Sequence, residues 1–123
     1  GPAPMISHLR DYFRWIKTWR TLPVRAWIEA GRAFRNGRFD HAEQLYLLGI
    51  AQNPSHEACV EARLDLVFCL FKTRNLEDAE RHLRTILAAG PHREASLRLA
   101  RLKLWSGQPA AAVTVLRETL TQY

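Results

Sequence analysis

The stretch GRFDHAEQLYLLGIAQNP, from Gly37 to Pro54, reads as a tight turn, one amphipathic helix and a helix-stopping proline. It returns twice, as RNLEDAERHLRTILAAGP from Arg74 to Pro91 and as GQPAAAVTVLRETL from Gly107 to Leu120. Ala42, Ala79 and Ala112 hold the same place in each copy, 37 and 33 residues apart. A period in the mid-thirties marks a stack of helical hairpins. One hairpin cannot bury its own apolar face, so at least three stack together. No segment alternates with period two over more than four residues, which predicts an all-α fold without strands.

The chain order fills in this frame. Residues 1–5 carry Gly1-Pro2 and Ala3-Pro4, which read as a tag remnant without fold information. Residues 6–22 make one basic amphipathic helix, ended at Leu22-Pro23 because proline disfavours a helical residue before it. Ile6, Leu9, Tyr12, Phe13, Trp15, Ile16 and Trp19 sweep its apolar arc, expected to pack against the helix at 24–36 and cap the repeats, with Arg10, Arg14 and Lys17 beside it as a free basic edge. Residues 23–123 hold three repeats, about 23–55, 56–91 and 92–123. The predicted helices lie near 6–21, 24–36, 39–52, 56–73, 76–89, 92–106 and 109–121. Ser55 is the expected N-cap of the helix from 56, Asn75 caps the next, and Pro109 starts the last. The helix from 56 is apolar nearly all round, so it should be the most buried.

Charge sharpens the picture. Residues 1–38 carry eight Arg and Lys against two acids, while residues 39–123 carry ten of each, so the net +6 sits in the first third. Confinement of the excess to that segment makes nucleic acid the poorest of the candidate partners, since the repeats are neutral. Cys59 and Cys69 on one helix stand roughly 15 Å apart, and a disulfide needs Cα atoms within about 7 Å. Two apolar-face thiols point to a reducing compartment, hence a cytoplasmic location. No run of 18 apolar residues occurs.

The residues now carry a resemblance. Trp27-x-x-Ala30-Gly31-x-x-Phe34, then Gly37-x-Phe39-x-x-Ala42-x-x-x-Tyr46, then Pro54, resembles the tetratricopeptide repeat signature. A second copy matches through Leu66-Val67, Leu70, Leu76, Ala79, Leu83 and Pro91, and a third through Leu99-Ala100, Gly107, Ala112 and Leu116. The copies depart from the pattern in their spacing and at Lys103, where an aromatic is usual. The resemblance implies a right-handed superhelix of three hairpins, preceded here by the one amphipathic helix. It also implies that the first helix of each hairpin lines a ligand groove. Carried over by position, the groove residues are Arg32, Arg35, Leu64, Phe68, Arg98, Arg101 and Trp105, within a wider face that includes Glu29, Asp65, Phe71, Lys72 and Glu94. Glu29, Asp65 and Glu94 crowd the places where tail-binding members hold a terminal carboxylate, which excludes that subclass. What remains suits an acidic or amphipathic peptide or helix.

Sites for chemistry are scarce. His56-Glu57 opens like a zinc-protease motif, but Val60 stands where the second His is needed. The other His residues share no ligand spacing, and no phosphate-cradling Gly-rich loop occurs. The cysteines read as buried inert thiols. No enzyme, cofactor or metal is expected.

The expected function is therefore a non-catalytic protein-interaction scaffold or adaptor, acting in the assembly of a protein complex through the groove or the N-terminal helix. The Arg- and Ala-rich style suggests a bacterial source. The alternative is a membrane-peripheral adaptor of a bacterial envelope assembly, for polysaccharide or secretion. Its membrane-spanning part would lie outside this sequence, and Arg10, Arg14, Trp15, Lys17 and Trp19 would face a partner or an anionic surface at the cytoplasmic side. Self-association through the terminal helices is a further expectation. Reversing Arg32 and Arg101 to Glu should weaken binding without loss of stability. Phe68→Ala should cost about 3–5 kcal/mol if its ring is buried.

Overall fold

Three turns of one design organise the chain. The computed structural model describes residues 9–11, 13–14 and 21–122. Beyond the N-terminal segment, whose described residues 9–11, 13, 14 and 21 are helical, six helices follow: α1 Arg25–Arg35, α2 Phe39–Gln52, α3 Cys59–Lys72, α4 Leu76–Ala88, α5 Arg93–Trp105 and α6 Pro109–Gln122. There is no strand among the described residues. Helices α1, α3 and α5 start 34 residues apart each time, a tighter repeat than the alanines show.

The turns α1–α2, α3–α4 and α5–α6 close with the same pair of backbone bonds. Arg38 N–H reaches Ala33 O at 2.9 Å, Asn75 N–H reaches Leu70 O at 2.8 Å, and Gln108 N–H reaches Lys103 O at 2.8 Å. The residue before each donor sits in the left-handed region: Gly37 at φ +76°, Arg74 at +63° and Gly107 at +72°. This is the helix-ending motif that glycine favours. The second copy performs it with arginine.

Turns this short return each helix antiparallel to the last. Trp27 at the start of α1 donates from Nε1 to Tyr46 O in the middle of α2, 3.3 Å away, while Phe34 and Phe39 meet across the turn at 5.2 Å. Successive hairpins then stack. Phe34 of α1 meets Phe68 of α3 at 5.5 Å, Phe71 of α3 meets Trp105 of α5 at 5.2 Å, and Arg98 Nη1 donates to Leu64 O at 2.8 Å. Helices α1, α3 and α5 thus share one side of the stack. Ala42, Ala79 and Ala112 are all at most 1% exposed, because only a methyl fits where each second helix crosses its partner. Ala30, Leu66, Val67, Leu83 and Leu99 complete the core.

Two expectations are corrected. Helix α3 begins at Cys59, three residues later than predicted, and its N-cap is Ala58 with no side-chain cap, not Ser55. The cause is His56, which turns inward and is buried. Its Nδ1 accepts from Ala58 N–H at 3.0 Å, so the ring proton lies on Nε2 and is donated to Leu22 O. The ring also stands edge-on to Trp27 at 5.2 Å. Second, α3 shares the place of most buried helix with α5, five buried residues each, and its Phe68 is 42% exposed. The N-caps at Asn75, accepting from Asp78 N–H at 3.3 Å, and the start of α6 at Pro109 stand as predicted.

Candidate peptide-binding groove

The side shared by α3 and α5 is hollow. A concavity of about 700 Å³ is lined by Phe68, Phe71 and Lys72 of α3, Arg74 of the turn, Leu76 of α4, and Glu94, Arg98, Arg101 and Trp105 of α5. Each aromatic keeps a ring face or edge available: Trp105 is 57% exposed, and its partner Phe71 is half-buried beneath it. Their T-shaped contact at 76° holds the indole in place without covering it.

Electrostatics favour anions here. Arg98 is already matched, with Nε on Glu94 Oε1 at 2.8 Å and Nη1 on Leu64 O. Lys72, Arg74 and Arg101 make no ion pair among the described residues. Lys72 Nζ instead stands 5.6 Å from the Phe68 ring centroid, and the Arg98 guanidinium 5.9 Å from it. Four cations against one acid, around three aromatic rings, make a surface that is apolar in the middle and positive at the rim.

The residues expected in the groove divide. Phe68, Arg98, Arg101 and Trp105 come together in this concavity. Leu64 does not line it; its side chain is half-buried against the core and only its carbonyl serves, holding Arg98. Arg32 and Arg35 are exposed in the last turn of α1, away from these lining residues. Arg74 was missed, and its one signal was its alignment with Gly37 and Gly107, which places a cation on a turn between two groove helices. On the N-terminal segment Arg10 and Arg14 are exposed, as are Leu9 at 66% and Phe13 at 60%, although these two lie on its apolar arc. Trp15, Lys17 and Trp19 lie outside the described residues.

A second, smaller pocket of about 160 Å³ adjoins Phe68 on the α1 side, lined also by Phe34, Tyr46 and Asp65. Burial raises the Asp65 carboxyl above its usual range, opposed by Arg98 and reinforced by Glu61. Burial, with Asp65 adding to it, pushes the Tyr46 phenol up to about 12. The Cys69 thiol is likewise pushed up to about 12, by burial first and then by Glu43 and Asp65, which leaves it protonated and inert. Cys59 is raised by burial as well, and its thiol donates to Asn53 O at 2.9 Å. Both cysteines are free. Among the described residues no group of three or more His, Cys, Asp or Glu could hold a metal ion, and no helix is long and apolar enough to cross a membrane.

A family model for the tetratricopeptide repeat matches residues 33–95. No curated protein matches the chain. The matched stretch takes in all of α2, α3 and α4 with the turns that join them, more than half of the 123 residues. Helical hairpins, buried alanines and the repeated turns agree with that match, and the chain belongs to the tetratricopeptide repeat family.

Proposed function

We propose that this chain is a non-catalytic interaction scaffold whose α3–α5 concavity holds an acidic segment of a protein partner bearing aromatic or large apolar side chains. Tetratricopeptide repeats mediate protein–protein interaction, and members of the family are typically non-catalytic. The observation that carries the reading is the grouping of Lys72, Arg74 and Arg101, without acidic partners, around the rings of Phe68, Phe71 and Trp105. Exposed aromatics beside arginine are the side chains that dominate interface energetics, and rim cations steer an acidic partner in.

The test is fluorescence anisotropy with a labelled peptide of alternating Glu and Phe, against a Gln/Phe peptide of equal length. The acidic peptide should bind, and Lys72→Glu with Arg101→Glu should weaken it by about tenfold or more. Melting should be unchanged, because exposed charges contribute little to stability. Undiminished affinity in the double reversal removes the concavity from consideration.

A second reading, the membrane-peripheral adaptor, draws on the N-terminal segment. Exposed Leu9 and Phe13 beside exposed Arg10 and Arg14 have the composition of a surface helix that lies on anionic lipid. Co-sedimentation with phosphatidylserine vesicles, abolished by Leu9→Ser with Phe13→Ser, is the expected result for that role. Vesicle binding equal in the double variant sinks it.

A further inference from the structure

We propose that the small pocket between α1 and α3, formed by Phe34, Tyr46, Asp65 and Phe68, takes a lysine side chain of the bound segment. The partner would then place a basic residue over α1–α3 and acidic or aromatic residues over α3–α5. This rests on the groove reading for the path of the segment, and it adds a charge pattern that the large concavity alone does not specify.

Three features support it. The two phenyl rings meet at 5.5 Å and 73° and both line the pocket, and aromatic rings attract an ammonium group. The Tyr46 side chain is 94% buried, yet its hydroxyl has no hydrogen-bond partner among the described residues. Among the described residues no buried side-chain oxygen or nitrogen is left closed off without a partner, so that hydroxyl opens to the pocket it lines. Asp65 is exposed and makes no ion pair among the described residues, and it lines the pocket beside Phe68. An unpaired carboxylate and an idle hydroxyl are both acceptors for an N–H donor, and a charge-assisted bond to a cation is stronger than a neutral one.

The neighbouring charges fit this assignment. Arg98, the cation nearest Asp65 along α5, is occupied by Glu94 and by Leu64 O. Glu61, one turn before Asp65 on α3, adds negative potential. Arg35 of α1 faces Tyr46 and opposes a cation, so removing its charge should help. Along α3 the groove face runs from Glu61 and Asp65 through Phe68 to Lys72, acidic at one end and basic at the other. A segment of matching polarity meets both ends, and reversal of its direction costs both contacts.

The experiment is an amide-resolved NMR titration of the whole chain with N-acetyl-lysine methylamide, its norleucine counterpart and its glutamate counterpart. A probe of this size binds with a Kd on the order of 1 mM. The lysine probe should shift the amides of Phe34, Tyr46, Asp65 and Phe68 saturably, about fivefold more tightly than norleucine. Asp65→Asn should abolish that preference, Tyr46→Phe should weaken binding about threefold, and Arg35→Ala should strengthen it. Tyr46→Phe removes only the unbonded hydroxyl, so the fold is kept. Norleucine binding as well as lysine, an unchanged preference in Asp65→Asn, or no saturable shift at these four amides would each overturn the proposal. The glutamate probe reads the other pocket, at Arg101 and Trp105. Its failure there would count against the acidic-segment reading alone, and a lysine failure beside a glutamate response against this inference alone.

Discussion

Trp27 fills the space where a side chain at residue 49 would stand. A Cβ on Gly49 would fall 2.5 Å from Trp27 Cδ1, 2.9 Å from Cε2 and closer still to Nε1. The nearest of these atoms, Nε1, is itself held by its bond to Tyr46 O, and the indole stands edge-on to His56. Glycine inside a helix costs about 1 kcal/mol relative to alanine. Gly49→Ala would ordinarily recover that amount, but here the close approach of α1 to α2 outweighs it. The substitution should destabilise the protein by about 2 kcal/mol, as overpacking does. In a Trp27→Ala background the same change should become neutral or stabilising, and a urea double-mutant cycle measures the coupling.

Arg74 holds a left-handed conformation that costs a residue with a Cβ about 1–2 kcal/mol. Glycine relieves this but returns about 0.4–1 kcal/mol to the unfolded chain. Arg74→Gly should therefore raise stability by about 0.5–1 kcal/mol, while Arg74→Ala leaves it nearly unchanged. Since Arg74 lines the concavity, both variants should bind the acidic peptide more weakly. A chain that is more stable and binds less well separates the turn from the groove in one measurement.

The expected cost of about 3–5 kcal/mol for Phe68→Ala holds only for a buried ring. At 42% exposure, with one T-shaped contact to Phe34 and two cations over its face, it should cost about 1–2 kcal/mol instead. Its effect on binding should be the larger one, because the ring borders both pockets. Thermal melts beside peptide anisotropy decide the order. A stability loss near that of Leu83→Ala would mean that the ring is a core residue.

How much of this was legible follows from which interactions are local. The alanines, the turns and the helix limits other than the start of α3 were readable because each depends on residues within one hairpin, and Ala42, Ala79 and Ala112 proved buried in every copy. The aromatic and cationic residues of α3 and α5 could be placed by repeat position, and Phe68, Arg98, Arg101 and Trp105 do line one concavity. Leu64, Arg32 and Arg35 do not line that concavity, which lies between α3 and α5. The inward turn of His56 was invisible, because its acceptor, Leu22 O, lies 34 residues away and nothing around Pro54 distinguishes a buried His from a surface one. The pairing of Trp27 with Gly49 was hidden likewise. Both residues look ordinary alone, and only the crossing of two helices makes one require the other.

His82 ties stability to pH. It is buried on α4, and its Nδ1 accepts from Arg63 Nη1 at 2.8 Å. Burial first, then Arg63 and Arg81, lower its pKa from 6.5, with Asp78 opposing them. Across the same cleft Glu43 is engaged by the Thr73 hydroxyl at 2.7 Å. As pH falls through 6.5 the unfolded chain takes up a proton that the folded ring resists. The contribution is therefore complete above that value and is lost as pH falls below it toward the folded pKa. The urea midpoint should drop between about pH 7.5 and about pH 5.5, and His82→Asn, which keeps an acceptor for Arg63 but cannot titrate, should lessen the drop. An identical drop in the variant would assign the pH dependence to other groups.

Leu83 and Leu116 occupy one repeat position, four residues after the crossing alanines Ala79 and Ala112, yet their burial differs. Leu83 is fully buried, because α4 lies between hairpins, whereas Leu116 on α6 is 38% exposed with no further described hairpin over it. Tyr46, the third member, is buried between α1 and α3. Transfer and cavity costs both scale with what surrounds the side chain, so Leu83→Ala should cost about 2–5 kcal/mol. Leu116→Ala, whose site is already open to solvent, should cost about 1 kcal/mol or less. Val113 and Leu120 are exposed on the same helix, at 45% and 78%, and continue that open face. Urea unfolding of the two single variants gives the comparison directly. Equal losses would show that the face of α6 is covered in solution, which a second copy of the chain would accomplish, and sedimentation at rising concentration would then show the dimer.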